Sequence, residues 1–161
     1  MCCNGEMGDL EAFEAIKRVK YRYLRALDTK HWDAFADTLT DDIVGDYGSS
    51  MGKELHFTNR ADLVEFMRTS MSAGVITEHR AAHPEITMDD ADEAEGRWYL
   101  QDRVIVPAHN FMLWGAAFYR DRYRNTADGW KICATGYDRT YEVTQTLDGQ
   151  NVTVTTGSAL A

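Results

Sequence analysis

The apolar residues in the first part of the chain recur at the spacing of an amphipathic helix. Between Leu10 and Leu27 they follow one another in three- and four-residue steps, which predicts a single buried face on one helix. This face consists of Phe13, Ile16, Val19, Tyr23 and Leu27. Shorter stripes predict two further helices, one over Trp32, Phe35, Ala36 and Leu39, and one after a capping Asn59 over Leu63, Phe66, Met67 and Met71.

After Gly74 the helical spacing gives way to long segments rich in β-forming residues. Turn residues divide this half of the chain into four predicted strands, at 75–88, 93–106, 111–126 and 130–143. A shorter strand is predicted at 43–47, followed by a turn or loop at 48–52. Consecutive long strands favour an antiparallel meander, and a sheet of this length curls. We therefore expect an α+β fold, a cone-shaped barrel in which three N-terminal helices pack on a strongly curved, mostly antiparallel sheet.

The length of the chain suits one domain. Its 161 residues have a hydrophobic share of 44%, which is enough for a single core. The predicted domain is 1–161, with its core at about 10–143. Residues 144–161 are polar and rich in small side chains, and we expect either a flexible arm or an extra edge strand that contains Val152 and Val154.

Composition and charge limit the kinds of molecule that the chain is expected to bind. The formal net charge is -9, from 26 acidic and 17 basic residues, which opposes binding to nucleic-acid phosphates or to an anionic membrane surface. Cys2, Cys3 and Cys133 show neither a disulfide framework nor zinc-ligand spacing. We expect reduced thiols in a cytoplasmic protein, with Cys133 in a strand core. No signal peptide and no membrane-spanning run is predicted.

Asp102 is the first candidate for chemistry. Side chains alternate across a strand, so Asp102 shares one face of the 93–106 strand with Trp98 and Leu100. A carboxylate among apolar neighbours is costly unless it is paired, and a partner is therefore expected. The alternative is a surface carboxylate on a twisted strand, or a structural partner of Arg97 or Arg103.

His79 is the second candidate. His79 and His83 are four residues apart, which on a helix would suggest a metal pair. Pro84 and the preceding β-branched residues favour a strand instead, on which four residues span about 13 Å, so no metal site is predicted. A lone histidine is either a hydrogen-bonded structural residue or half of a His–Asp dyad. In such a dyad the carboxylate orients the imidazole as a general base near pH 7.

Tyr23, Asp28 and Arg139 complete the candidate set. Tyr23 is either a core residue or a phenol that donates to a substrate oxygen, and Asp28 is either a helix cap or a pocket residue. Arg139 is predicted to share a strand face with Tyr137 and Tyr141. It either binds a developing oxyanion or pairs with a carboxylate such as Asp28.

Six short segments between residues 13 and 142 together resemble the sequence pattern of a known family. They are EAIK (14–17), YLRALDTKHW (23–32), HPEIT (83–87), GRWYLQDR (96–103), GAAFY (115–119) and GYDRTYE (136–142). With these segments in register, the chain resembles the nuclear-transport-factor-2-like superfamily, in its SnoaL-like and scytalone-dehydratase branch. Within that branch it looks most like the bacterial bile-acid 7α-dehydratases. It departs from their pattern at 48–56, at 107–113 and after 142, where we expect loops that select the substrate.

The resemblance implies a catalytic set at five positions of this chain. The helix tyrosine and helix aspartate of the family match Tyr23 and Asp28, and its catalytic histidine matches His79. The aspartate paired with that histidine matches Asp102, and the C-terminal strand arginine matches Arg139. The implied enzyme is a carbon–oxygen lyase without cofactor or metal, which eliminates water from a hydroxylated polycyclic or steroid-like ketone.

The resemblance leaves other functions open. An isomerase, a cyclase or a dehydrohalogenase would use the same kind of base, and the superfamily also contains proteins that bind small molecules without catalysis. The implied partner is a small apolar hydroxy-ketone, with neither nucleic acid nor membrane. By analogy with relatives we expect a homo-oligomer, a trimer rather than a dimer, with the apolar 111–118 segment available for the interface.

Overall fold

Three helices lie in the N-terminal half of the chain. A computed structural model describes residues 4–50 and 53–148. Helix α1 spans Asn4–Asp28, α2 spans Trp32–Asp37 and α3 spans Arg60–Ser70. The amide of Asp62 donates to the side-chain oxygen of Asn59 over 2.9 Å, so the predicted cap of the third helix is confirmed. The three predicted helices are all present, and α1 begins well before the apolar stripe does.

The described strands form one curved, unclosed sheet. Their bounds are β1 Leu39–Ser50, β2 Lys53–Phe57, β3 Ile76–Met88, β4 Glu93–Val106, β5 Phe111–Thr126 and β6 Gly129–Thr146. The spatial order is β2-β1-β6-β5-β4-β3. Neighbouring strands are antiparallel except β1 and β6, which are parallel. The predicted α+β cone and the antiparallel meander of β3 to β6 are therefore confirmed.

The prediction of a loop at 48–52 was wrong in part. Strand β1 continues to Ser50, and β2, which the sequence analysis missed, begins at Lys53 and runs antiparallel to it. Glycine and serine dominate this stretch, a composition typical of loops. Strand pairing overrides that local preference, since Ser49 and Ser50 pair with Glu54 and Lys53.

The core lies between the helices and the concave face of the sheet. On β4 every second residue from Ala94 to Asp102 is buried, as the alternation predicted. Trp98 and Leu100 are fully buried there, and burial of such a side chain contributes about 1.5–3 kcal/mol. Cys133 is buried on β6, which confirms its predicted place in a strand core.

A bulge in β6 changes which side chains face the core. Ala116 pairs with Tyr141 and Ala117 pairs with Arg139, so Thr140 is the extra residue of the bulge. Arg139 therefore points to the concave face, and Tyr141, 49% exposed, points to the outer face. The prediction that Arg139 and Tyr141 share a face was wrong, because a bulge breaks the two-residue period of a strand.

The two ends of the chain extend past the predicted boundaries. Strand β6 continues to Thr146, beyond the predicted core limit at 143. The proposed edge strand at Val152 and Val154 lies outside the described residues.

Within residues 4–50 and 53–148, no helix has both the length and the apolar character needed to cross a membrane.

Candidate active site

Asp28 and His79 form the first polar pair of the concave face. Asp28 is the last residue of α1, and His79 lies on β3. His79 Nδ1 is 2.7 Å from Asp28 Oδ1, and the His79 amide donates to Asp28 Oδ2 over 2.9 Å. An ionised carboxylate only accepts, so Nδ1 carries the proton of this bond. In this tautomer the lone pair that can accept a proton lies on the other ring nitrogen, Nε2.

Thr77, which the sequence analysis did not select, adds a third donor to Asp28. Its hydroxyl donates to Asp28 Oδ1 over 2.8 Å. Thr77 and His79 are two residues apart on β3 and therefore face the same side. The spacing alone would have placed Thr77 beside His79, but only the fold brings the end of α1 to both.

Asp102 and Arg139 form the second polar pair. Arg139 Nη1 and Nη2 donate to the two carboxylate oxygens of Asp102, each over 2.6 Å. The Asp102 side chain is only 4% exposed, so this bidentate bond supplies the partner that its burial requires. Burial works to lower the pKa of Arg139, but the hydrogen bonds and charge of Asp102 outweigh it and raise that pKa.

The predicted pairing of His79 with Asp102 is wrong. The two residues are opposite each other on β3 and β4. His79 nevertheless bonds Asp28, and Asp102 bonds Arg139. Arg139 pairs with a carboxylate, as one of its two alternatives expected, but this carboxylate is Asp102 and not Asp28. The resemblance implied that His79 and Asp102 lie together, but their hydrogen-bond partners come from α1 and β6, which sequence spacing could not place.

Gly115 makes the second pair possible. Strand β5 lies between β4 and β6, and Gly115 stands directly opposite Asp102. A Cβ atom at this position would lie 2.7 Å from the Tyr141 carbonyl oxygen and 3.0 Å from Arg139 Nη1. The missing side chain therefore leaves the space through which Arg139 reaches across β5 to Asp102.

Tyr23 lies deeper in the core and bonds another tyrosine. Its hydroxyl is 3.0 Å from that of Tyr47 on β1, and Tyr23 is 1% exposed. Burial raises the pKa of both phenols, so both remain protonated donors at neutral pH. Tyr137 connects this pair to the rest of the site, with its ring 5.6 Å from the Tyr47 ring and 4.8 Å from the Arg139 guanidinium.

A buried ion pair that the sequence analysis missed lies beside these tyrosines. Lys20 Nζ is 2.7 Å from Asp121 Oδ2, and both side chains are fully buried. The contact is a close ion pair, although Lys20 is not aligned for a directional hydrogen bond. The Thr135 and Tyr123 hydroxyls donate to Asp121, each over 2.8 Å. Lys20 lies within the apolar stripe of α1, four residues after Ile16. This spacing was the one feature of the sequence that indicated its burial.

The other four histidines do not take part in these pairs. His31 bonds the Thr29 hydroxyl over 2.9 Å, and His56, His83 and His109 are exposed. Among the residues that the structure describes, no three His, Cys, Asp or Glu side chains gather as a metal site. Two surface clefts, of about 540 and 250 Å³, are lined by other residues than the five predicted ones.

Comparisons with known proteins agree with this fold. Residues 8–135 match a protein-family model described as the SnoaL-like domain. A structure from Novosphingobium aromaticivorans, provisionally assigned as a scytalone dehydratase, is 17% identical, with a TM-score of 0.77 over 86% of this chain and 90% of that one. A hexachlorocyclohexane dehydrochlorinase, LinA type 2, is 16% identical, with a TM-score of 0.77 over 87% and 93%. The Kfla4162 protein from Kribbella flavida is 22% identical, with a TM-score of 0.76 over 84% and 95%.

Proposed function

The chain belongs to the SnoaL-like family, and on that premise we propose that it is a cofactor-independent lyase. Its substrate would be a small apolar hydroxy-ketone, polycyclic or steroid-like, from which it eliminates water. The observation that carries this proposal is the Asp28–His79 pair, with 2.7 Å between carboxylate and imidazole and no hydrogen bond from Nε2 to any residue that the structure describes. The names of two structural neighbours, a dehydratase and a dehydrochlorinase, both describe eliminations.

His79 is the proposed general base. The side chain is 8% exposed, which keeps bulk water away from the imidazole. In the elimination, the C–H bond beside the ketone-conjugated system breaks and its proton passes to Nε2 of His79. The electron pair forms the new C=C bond as the C–O bond breaks, and the departing hydroxide takes a proton to leave as water. In this proposal the proton then held by His79 supplies that step.

Asp28 is the proposed partner of the base. It holds Nδ1–H and thereby fixes the tautomer, and its charge stabilises the imidazolium that forms. This is the role that the resemblance assigned to Asp102. The geometry supports a different role for Asp102, which holds Arg139 at the polar end of the site and compensates its charge.

Tyr23 and Tyr47 are the proposed donors to the substrate ketone. As negative charge builds on the ketone oxygen, a fixed phenol donor stabilises it. The contact between their hydroxyls, 3.0 Å, lets one phenol orient the other. The carbonyl conjugation serves as the electron sink, which is why the proposal includes neither metal nor cofactor.

Ultraviolet absorbance tests the proposal directly. The protein is incubated with a 7α-hydroxy-3-oxo-4-ene steroid, in which elimination extends the conjugation and produces a long-wavelength dienone band. Wild type is compared with His79→Ala and with His83→Ala, a matched change at the exposed histidine of the same strand. We expect the band with wild type and His83→Ala and its loss with His79→Ala.

The alternative functions give different results in this assay. An isomerase or a dehydrohalogenase would show turnover only with its own substrate class, and product analysis separates these from a dehydratase. A passive binding protein would show no turnover, and its ligand affinity would be the same in His79→Ala. A bile-acid precursor is the first steroid to test, since the resemblance points to it.

We also propose that the chain forms a homo-oligomer, a trimer rather than a dimer, through the outer face of the sheet. Phe118 and Tyr141 are 47% and 49% exposed on that face, and Phe118 packs edge-on against Tyr99 at 5.4 Å. Exposed aromatic side chains that adjoin one another are typical of protein interfaces. Sedimentation equilibrium at micromolar concentration tests this, and a monomer would contradict it.

A further inference from the structure

Helix α1 ends in a hydrogen-bond pattern that usually carries glycine. The amide of His31 donates to the Ala26 carbonyl over 2.9 Å, and the amide of Lys30 donates to the Leu27 carbonyl over 3.3 Å. These are the two bonds of a Schellman motif. Its left-handed residue is Lys30, with φ 61°. A side chain with a Cβ is strained there, so the presence of lysine instead of glycine needs a reason outside the helix end itself.

The Lys30 side chain leads back to the proposed base. Its ammonium donates to the Thr77 hydroxyl over 2.9 Å, and that hydroxyl donates to Asp28 Oδ1 over 2.8 Å. The same carboxylate oxygen is 2.7 Å from His79 Nδ1. Lys30, Thr77, Asp28 and His79 therefore form one continuous hydrogen-bonded chain.

The chemistry of the donors fixes the direction of this chain. A hydroxyl has one proton to donate, whereas an ammonium group only donates. Because Lys30 occupies the Thr77 oxygen as a donor, the Thr77 proton is directed to Asp28. The carboxylate then keeps the acceptor arrangement that holds Nδ1–H of His79. Without the ammonium, the Thr77 hydroxyl could rotate away.

The charges around Asp28 are compatible with this role. Lys30 is half-buried, and burial lowers the pKa of its ammonium while the charge of Asp28 acts in the opposite direction. The two other charged pairs between the helices and the sheet, Asp102–Arg139 and Lys20–Asp121, are each internally compensated. Lys30 is thus the positive group linked to Asp28 by hydrogen bonds within the described residues.

We propose that Lys30 is a positioning residue for the Asp28–His79 pair, and that it acts through the Thr77 hydroxyl to fix the carboxylate as the acceptor of the imidazole proton. Backbone strain that the fold retains is characteristic of functional sites, and here the strained residue is the one whose side chain reaches the base. The kinetic part of this inference rests on the proposed function, whereas its structural part does not.

Substitution by glycine separates function from folding. Lys30→Gly removes the ammonium and also the left-handed strain, so this variant should unfold at the same or a higher temperature than wild type. We expect its kcat in the dienone assay to fall about tenfold or more, by analogy with the loss when the partner that orients a metal-ligating histidine is removed, with little change in KM. Lys30→Arg keeps a donor-only cation and should retain most of the activity.

His83→Gly is the matched control. His83 also has a left-handed φ, 50°, and lies four residues along β3 from His79, with no hydrogen bond to the Lys30 chain. This variant should relieve the same type of strain and leave kcat unchanged. Equal losses in Lys30→Gly and His83→Gly would overturn the proposal.

Nuclear magnetic resonance of the histidine ring supplies a measurement that does not depend on turnover. The Nδ1–H proton of His79 should give a downfield signal in wild type and in Lys30→Arg. In Lys30→Gly it should move upfield or exchange faster with water. An unchanged signal in Lys30→Gly overturns the proposal, whatever happens to the rate. If wild type has no elimination activity on any substrate, the proposed function fails, and the ring signal still decides the role of Lys30.

Discussion

His79 and Asp102 lie directly opposite each other on β3 and β4, and each bonds a partner from a third element. His79 bonds Asp28 at the end of α1, and Asp102 bonds Arg139 on β6. Opposite side chains on an antiparallel pair have Cβ atoms about 4.5–5.5 Å apart. The site therefore has two separately paired units side by side, a base unit and a charge-compensated ion pair.

The two carboxylates should respond differently to amide substitution. Asp28→Asn removes the charge that orients His79, and we expect the rate of elimination to fall by about 10²–10⁴ with little loss of stability. Asp102→Asn leaves Arg139 without its ionic partner, and the free energy of unfolding should fall by about 3 kcal/mol. Urea unfolding and steady-state kinetics on both variants check this. Full stability in Asp102→Asn, together with full activity in Asp28→Asn, would favour the partner assignment made from the resemblance.

Gly115→Ala should disturb the Asp102–Arg139 pair without changing either residue. The new methyl group would contact the Tyr141 carbonyl and Arg139 Nη1, and we expect a loss of about 1–3 kcal/mol in the free energy of unfolding together with reduced activity. Gly74→Ala is the control, since no atom lies within 4 Å of its added Cβ. A change within about 0.5 kcal/mol is expected there. Similar effects at both positions would show that Gly115 has no special role.

The Lys20–Asp121 ion pair should show strong coupling. Because both side chains are fully buried, Lys20→Met or Asp121→Asn alone leaves a buried charge without its partner, at a cost of about 3–5 kcal/mol. The double variant loses both charges and should recover much of this loss. A double-mutant cycle by urea unfolding measures the coupling, which we expect to reach about 2 kcal/mol. Simple additivity of the two losses would contradict the ion pair.

Stability should fall at alkaline pH. Burial raises the pKa values of Tyr23, Tyr47, Tyr119 and Tyr123. In the unfolded chain these phenols ionise near about pH 10. Above that pH the unfolded state releases protons that the folded state keeps, so the free energy of unfolding decreases by about 1.4 kcal/mol per pH unit for each buried tyrosine.

Below about pH 10, the titration of Lys20 changes the free energy of unfolding in the opposite direction. Its pKa is lowered by burial, against the effect of Asp121, so its contribution to the free energy of unfolding increases as the pH rises towards about 10.4. Urea unfolding from about pH 8 to about pH 12 should therefore show a decline that begins near about pH 10. Tyr123→Phe should flatten this decline, whereas a change at the exposed Tyr21 should not. Tyrosine ionisation without loss of stability would contradict the prediction.

The sequence predicted most of the fold because most of its elements have strong local patterns. The stripe of α1, the cap at Asn59 and the alternation along β4 each depend on residues a few positions apart. Strand β2 was missed because its evidence is the pairing of Phe57 with Gly45, a contact that local composition does not encode. The parallel contact of β1 with β6 joins distant parts of the chain and was invisible for the same reason.

The candidate residues were predictable as a set, but their partners were not. Alternation placed Asp102 among apolar residues on one strand face, and the resemblance joined it in one set with Tyr23, Asp28, His79 and Arg139. Which carboxylate bonds His79 depends on where α1 ends against β3, a tertiary relationship. Lys30 and Gly115 had no signal of their own, since one is a lysine in a polar turn and the other a glycine in a strand.

Strand β6 has two register shifts against β5, one opposite Arg122 and Tyr123 and one that is the bulge at Thr140. Side chains just before and just after Thr140 alternate in opposite phase, so Thr135, Tyr137 and Arg139 face the pocket, whereas Tyr141 belongs to the outer face. Outer-face residues after the bulge can therefore be substituted without altering which side chains before the bulge face the pocket. Deletion of the single residue Thr140 would make Arg139 and Tyr141 adjacent, and the regular alternation of a strand would then keep them on the opposite faces that they already occupy.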